Sequence, residues 1–235
     1  MRVQGSGFRG PAAAAIVGAV AVAALLLAGC GPATPEKEYQ AGLALLKKGD
    51  LAAGKARLEA ALEQQPDAAF AADAQNWLGL ANWESGLTQE AGANFEGASK
   101  LNPAAFEPVY NLGCLALEGG DMSRGISLLR RAADLDLRDT RALLRIGDWT
   151  TRNGRWDLAR RMYFESQKRD PQSAAAATGL GRIALLENNL AQAETFFMQA
   201  LEMSKDYAPA LYNLGVLHAQ MEGHGEQASE YFRQY

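Results

Sequence analysis

From Glu36 onward, apolar and small residues recur at intervals of three and four, and no stretch alternates long enough to make a strand. The pattern predicts helices throughout. It also repeats: Gly79, Gly113, Gly147, Gly181 and Gly215 recur at one fixed interval, each preceded by leucine or isoleucine (Leu78, Leu112, Ile146, Leu180, Leu214). Twelve residues beyond the glycine comes a small side chain (Gly54, Ala91, Gly125, Ala159, Ala193), and four further on a large one (Leu58, Phe95, Leu129, Tyr163, Phe197). A sixth copy places both one residue late, at Ala228 and Phe232. Helices that cross closely need small residues at the contact and large ones to fill the grooves beside it. Between the glycine and the small position lies a turn residue, Gly49, Gly86, Gly120, Gly154 or Asn188, of the two types that tolerate the left-handed backbone at a helix end.

A helix, turn and helix every ~34 residues cannot bury its apolar face alone, so such units stack on their neighbours. In period and in wording the chain resembles the tetratricopeptide repeat family. That resemblance implies an all-α, right-handed α-solenoid of about six antiparallel helix pairs over residues 36–235, with units near 35–71, 72–105, 106–139, 140–173, 174–207 and 208–235. The closing proline of the unit stands at Pro66, Pro103 and Pro171 and gives way to Leu137 and Lys205. The first interval, Gly42 to Gly79, is longer than the others. Its extra residues around 66–74, and the one extra in the turn 222–226, are expected to bulge at the surface, since loop insertions cost little. The last helix carries Phe232 with no polar capping helix behind it, an apolar edge expected to meet further chain, a partner or a second copy.

Ahead of the repeats, Ala12 to Ala28 contains no charged residue and follows Arg2 and Arg9, the arrangement of a signal peptide over residues 1–29. Leu27-Ala28-Gly29-Cys30 resembles the lipobox of bacterial lipoproteins. The resemblance implies cleavage before Cys30, acylation of its thiol, and residues 30–35 as a short lipidated tether to the membrane. An ordinary signal sequence and an uncleaved helical anchor are the alternatives. Two or three acyl chains, at roughly 0.8 kcal/mol per buried methylene, make attachment permanent. Gly31 in place of an aspartate looks like an outer-membrane address in a cell with two membranes, within the bacterial envelope in either case. Cys114 is then the remaining cysteine, which excludes an intrachain disulfide. Residues 1–29 carry two of the 23 basic side chains and none of the 27 acidic ones, so the processed chain has a net charge of minus six, which disfavours a nucleic-acid partner.

His218 and His224 are the two histidines, and the sequence holds no HExxH, CxxC or GxSxG motif and no glycine-rich phosphate loop. The carboxylates are spread over helix positions where solvation and i,i+4 pairing explain them. No catalytic residue, metal site or cofactor is expected. Binding is, because the resembling family turns positions two, five, six, nine, twelve and thirteen of each unit toward a concave groove. Here those positions hold Arg141, Arg145, Asp148 and Arg152 of unit four and Arg182 of unit five, with Asn76, Trp77, Leu80 and Trp83 of unit two, Tyr110 and Asn111 of unit three, and Tyr212 and Asn213 farther along. Aromatic anchors beside arginines compose a peptide hot spot, so the partner is expected to be a protein or peptide with an acidic group or terminal carboxylate. Asn111, Arg141 and Arg145 match three places of the family's carboxylate clamp, while Asn76 and Leu80 depart from the other two. The plainer alternative is that Tyr-Asn-Leu-Gly is common repeat wording and the arginines a solvated face. These features imply a non-catalytic, membrane-anchored peptide- or protein-binding adaptor for an envelope assembly such as a pilus, secretion or outer-membrane biogenesis machine. A self-associating scaffold and an accessory to a cell-wall enzyme are the alternatives.

Overall fold

The computed structural model describes residues 34–221 and 223–235. The signal peptide, the lipobox with Cys30 and most of the tether lie outside the described residues, as does Glu222 of the last turn. Among the described residues there are twelve α-helices and no strand, arranged as six consecutive pairs: α1 (Pro35–Lys47) with α2 (Leu51–Gln64), α3 (Ala71–Glu84) with α4 (Thr88–Leu101), α5 (Phe106–Glu118) with α6 (Met122–Leu135), α7 (Arg141–Arg152) with α8 (Trp156–Arg169), α9 (Ala174–Leu186) with α10 (Leu190–Met203), and α11 (Ala208–Ala219) with α12 (Gly225–Gln234). None of these helices is long and apolar enough to cross a membrane.

In the first, third and fifth pairs the turn is built by two adjacent residues. Gly49, Gly120 and Asn188 take the left-handed backbone, with φ of 83°, 85° and 59°. The next residue caps the second helix: Asp50, Asp121 and Asn189 accept from the backbone N–H three positions on at 3.1, 3.0 and 3.3 Å.

Each pair closes over the repeat glycine. A Cβ on Gly79 would stand 2.4 Å from the Phe95 ring, one on Gly147 2.6 Å from Tyr163, and one on Gly181 2.5 Å from Phe197. Leucine does the same work at Gly42 over Leu58 and Gly113 over Leu129, at 2.8 and 2.7 Å. The recurring rhythm of small and large residues is therefore a rhythm of steric joints. Leu58, Phe95, Leu129 and Phe197 are fully buried there, each contributing about 1.5–3 kcal/mol by area. In the sixth pair Phe232 reaches Gly215 in the same way but keeps 42 % of its surface exposed, beside Tyr212.

Successive pairs stack through the second helix of one and the first helix of the next, and first helices also touch one another, α1 with α3, α5 with α7, α7 with α9 and α9 with α11. The first helices consequently share one face of the stack. The longer link between α2 and α3 is exposed at Pro66, Asp67 and Ala69, as expected of a surface insertion, but its last residue, Phe70, turns inward and stacks on Tyr39 at 4.8 Å, in the cluster that contains Leu58 and Leu78. Burying an aromatic ring is favourable, so the insertion adds one ring to the core while the rest of it stays at the surface.

Candidate functional site

Because the units repeat, neighbouring first helices lie side by side and bond across the joint. Tyr39 donates to Asp73; Asn111 Nδ2 donates to Asn76 Oδ1 at 2.9 Å; Trp83 Nε1 donates to Glu118 Oε2 at 3.2 Å. Arg141 reaches Glu107 at 2.6 Å and Arg182 reaches Asp148 at 3.1 Å. These partners are all 34 or 35 residues apart in the sequence.

The basic cluster read from the sequence is thus compensated from within the chain. Arg141 is held by Asp139 and Glu107, both at 2.6 Å, and lies over the rings of Phe106 and Tyr110 at 4.9 and 5.4 Å. Partial burial works against the charge of Asp139, but the hydrogen bonds from Arg141 outweigh it and hold that carboxyl below its ordinary range. Arg145 pairs with Glu118 at 2.8 Å, while its buried Nε has no partner. Burial, with the Cys114 thiol beside it, pushes Tyr110 up to about 12, and burial likewise raises Cys114, so both stay protonated near neutrality. A ligand acid approaching Arg141 or Arg145 therefore meets a guanidinium that already has a carboxylate. Such half-exposed pairs are worth about 0–1 kcal/mol; they orient the arginines and leave them able to exchange partners. Asn76 and Asn111, 7 % and 6 % exposed, belong to a buried joint between units and do not line the groove.

Arg152 and Arg182 stand apart from the other two arginines, in a cleft of about 560 Å³ whose lining includes Asp148, Thr178, Tyr207 and Tyr212. Asp148 is its hub, accepting from Arg182 and, at 2.8 Å, from the hydroxyl of Tyr163. Tyr163 comes from α8 and reaches the first-helix face because Gly147 and Gly179 flank its ring; a Cβ on either would clash at 2.6 and 2.4 Å. The sequence reading took Tyr163 as a packing knob and missed its hydroxyl, although Gly179, a second glycine just before Gly181, was a legible sign of the passage. Thr178, 4 % exposed, has a hydroxyl without a hydrogen-bond partner at this cleft. Arg152 is exposed and, among the described residues, has no carboxylate within ion-pair distance.

Trp77 and Trp83 line a second, shallow and open cleft, of about 520 Å³, together with Leu80, Glu84 and Glu118. The two glutamates were absent from the residues singled out by sequence, yet both hold position thirteen of their units, where Arg152 was singled out. Elsewhere, His218 is 6 % exposed, stacks on Tyr231 at 5.3 Å, and has its Nδ1 3.1 Å from Nδ1 of His224. Among the described residues no group of three or more His, Cys, Asp or Glu side chains is placed to hold a metal ion.

The family model for the tetratricopeptide repeat matches residues 39–106 and 151–208, over half of the chain. The chain belongs to the tetratricopeptide repeat family. Among solved structures it is similar to a tetratricopeptide repeat protein from Parabacteroides merdae, at 17 % identity over 85 % of this chain and 78 % of that one, with a TM-score of 0.69. It is similar to PilW, described as a widely conserved type IV pilus biogenesis factor, at 21 % identity over 85 % of this chain and 91 % of that one, with a TM-score of 0.66. YrrB, described as a tetratricopeptide protein with an unusual peptide-binding site, aligns at 22 % identity over 75 % of this chain and 90 % of that one, with a TM-score of 0.57. At these identities the likeness is one of fold. No curated protein matches the chain.

Proposed function

We propose that this tetratricopeptide chain is a non-catalytic, membrane-anchored adaptor that holds a peptide segment of a partner protein along the face of its first helices. The observation that carries the reading is the alignment of two aromatic, charged clefts, of about 560 and 520 Å³, on that one face. Concave sites with a few placed polar groups are where ligands bind, and Trp, Tyr and Arg are the side chains that anchor interfaces. Trp77, Trp83, Tyr110, Arg141, Arg145, Asp148, Arg152 and Arg182 are the proposed groove residues, with Asn76 and Asn111 setting the angle between two of the units that present them. The similarity in fold to a pilus biogenesis factor and to a peptide-binding repeat protein supports an envelope assembly, pilus, secretion or outer-membrane biogenesis, as the setting. A crosslink map of a bound peptide, with adducts expected on the first helices, tests the groove. Tyr212 and Phe232, exposed together at the sixth pair, favour a second reading in which copies of the chain associate through that pair.

The anchor is proposed from the lipobox, with the bacterial envelope, and its outer membrane where there are two, as the location. Since Cys30 holds the acceptor thiol of that motif, Cys30→Ser is expected to abolish metabolic labelling with a fatty acid and to move most of the protein out of the membrane fraction. Equal labelling of the variant contradicts the anchor and leaves the groove untouched.

A further inference from the structure

The groove charges are not mixed at random. At the inward positions, units one to three carry Glu36, Asp73, Glu84, Glu107 and Glu118 against Lys47. Units four to six carry Arg141, Arg145, Arg152 and Arg182 against Asp148. Where the two halves meet, the opposite charges satisfy one another, Glu107 with Arg141 and Glu118 with Arg145, and farther on Asp148 with Arg182. Asp73 accepts from Tyr39. Each aromatic cleft is then left with one charge that has no ionic partner among the described residues: Glu84 beside Trp77 and Trp83, and Arg152 beside Tyr207 and Tyr212. Both occupy position thirteen of their units, two repeats apart, at the end of α3 and of α7.

We propose that the groove reads a bipolar peptide, with a lysine or arginine side chain in the Trp77–Trp83–Glu84 cleft and an aspartate or glutamate side chain at Arg152 in the tyrosine cleft. The proposal rests on the groove reading above and names the chemistry of its ligand. A cation over a tryptophan face with a carboxylate behind it is attracted by both. A carboxylate meeting a free guanidinium gains two parallel hydrogen bonds, with Tyr207 and Tyr212 supplying apolar contact around it. Neighbouring packed helices lie about 8–10 Å apart, so two steps along the stack are roughly 20 Å. An extended chain rises about 3.3 Å per residue, which separates the base from the acid by about six residues. A peptide with two acids or two bases at that spacing meets a like charge at one end, which is how such a groove rejects wrong partners.

The test uses the full chain and phage-displayed random dodecapeptides, followed by calorimetric titration of the selected peptides made synthetically. The expected result is enrichment of one base and one acid about five to seven residues apart. Replacing the peptide's base by glutamine should weaken binding about tenfold to the unaltered protein and hardly at all to Glu84→Gln, and its acid should show the same dependence on Arg152 through Arg152→Gln. Both protein variants are at exposed positions, and unchanged circular dichroism verifies that they fold. Peptides that bind and are lost on Trp83→Ala, yet carry no opposite charges or bind both charge variants equally, overturn the proposal while leaving the groove in place. Selection of no peptide, or of peptides indifferent to Trp83→Ala, overturns the groove reading and this proposal with it.

Discussion

Replacing Phe197 by alanine is expected to lower stability by about 3–5 kcal/mol, measured by urea unfolding followed by circular dichroism. The ring is fully buried against Gly181, and a glycine offers nothing that can move into the space it leaves. The same position in the sixth pair supplies the control. Phe232 meets Gly215 through an equivalent contact but is 42 % exposed, so Phe232→Ala should cost only about 1–2 kcal/mol. Because each unit leans only on its neighbours, the loss should also broaden the transition as the fifth and sixth pairs melt ahead of the rest. Equal and small losses at both positions contradict the account of the joint as a knob over a glycine.

Gly147→Leu tests the joint from the other side and ties it to the groove. A first side-chain carbon there already meets the Tyr163 ring at 2.6 Å, so leucine must push the ring aside at a cost of about 1–3 kcal/mol. Moving the ring withdraws its hydroxyl from Asp148, the carboxylate that also positions Arg182. The variant should therefore lose both thermal stability and affinity for groove-bound peptides, whereas Tyr163→Phe, which keeps the ring, should lose mainly the hydrogen bond, about 1 kcal/mol. Combining Gly147→Leu with Tyr163→Ala, which removes the ring that the new side chain meets, should recover part of the loss and would locate the strain in this contact. A Gly147→Leu protein as stable as its parent contradicts it.

The architecture was legible because steric joints recur at a fixed interval, and a single sequence displays an interval openly. The helices, the left-handed turn residues and the large side chain opposite each glycine all lie within one unit. Phe70 was not legible, since nothing local tells whether an aromatic residue in an insertion faces solvent or the ring of Tyr39, back in α1. The groove lies between these cases. Glu107 with Arg141 and Asp148 with Arg182 are one repeat apart and could be read as partners from the period. Glu118 with Arg145, 27 residues apart, depends on the angle between units, which the period does not encode, and the hydroxyl of Tyr163 crosses to Asp148 within one pair because Gly179 of the next unit leaves room for its ring. A cluster of arginines in sequence thereby became a set of internal pairs, with Arg152 alone lacking an ionic partner among the described residues.

The most direct measurement of the central claim is a photo-crosslink map. A peptide selected by the full chain, carrying benzophenone-alanine at successive positions, is irradiated in the complex and the adducts are located by mass spectrometry. Binding along the first helices predicts adducts on α3, α5, α7 and α9, running from the tryptophan cleft toward the tyrosine cleft as the label moves along the peptide. Adducts concentrated on α4, α6, α8 and α10 would place the ligand on the second-helix layer and contradict the assignment of the groove.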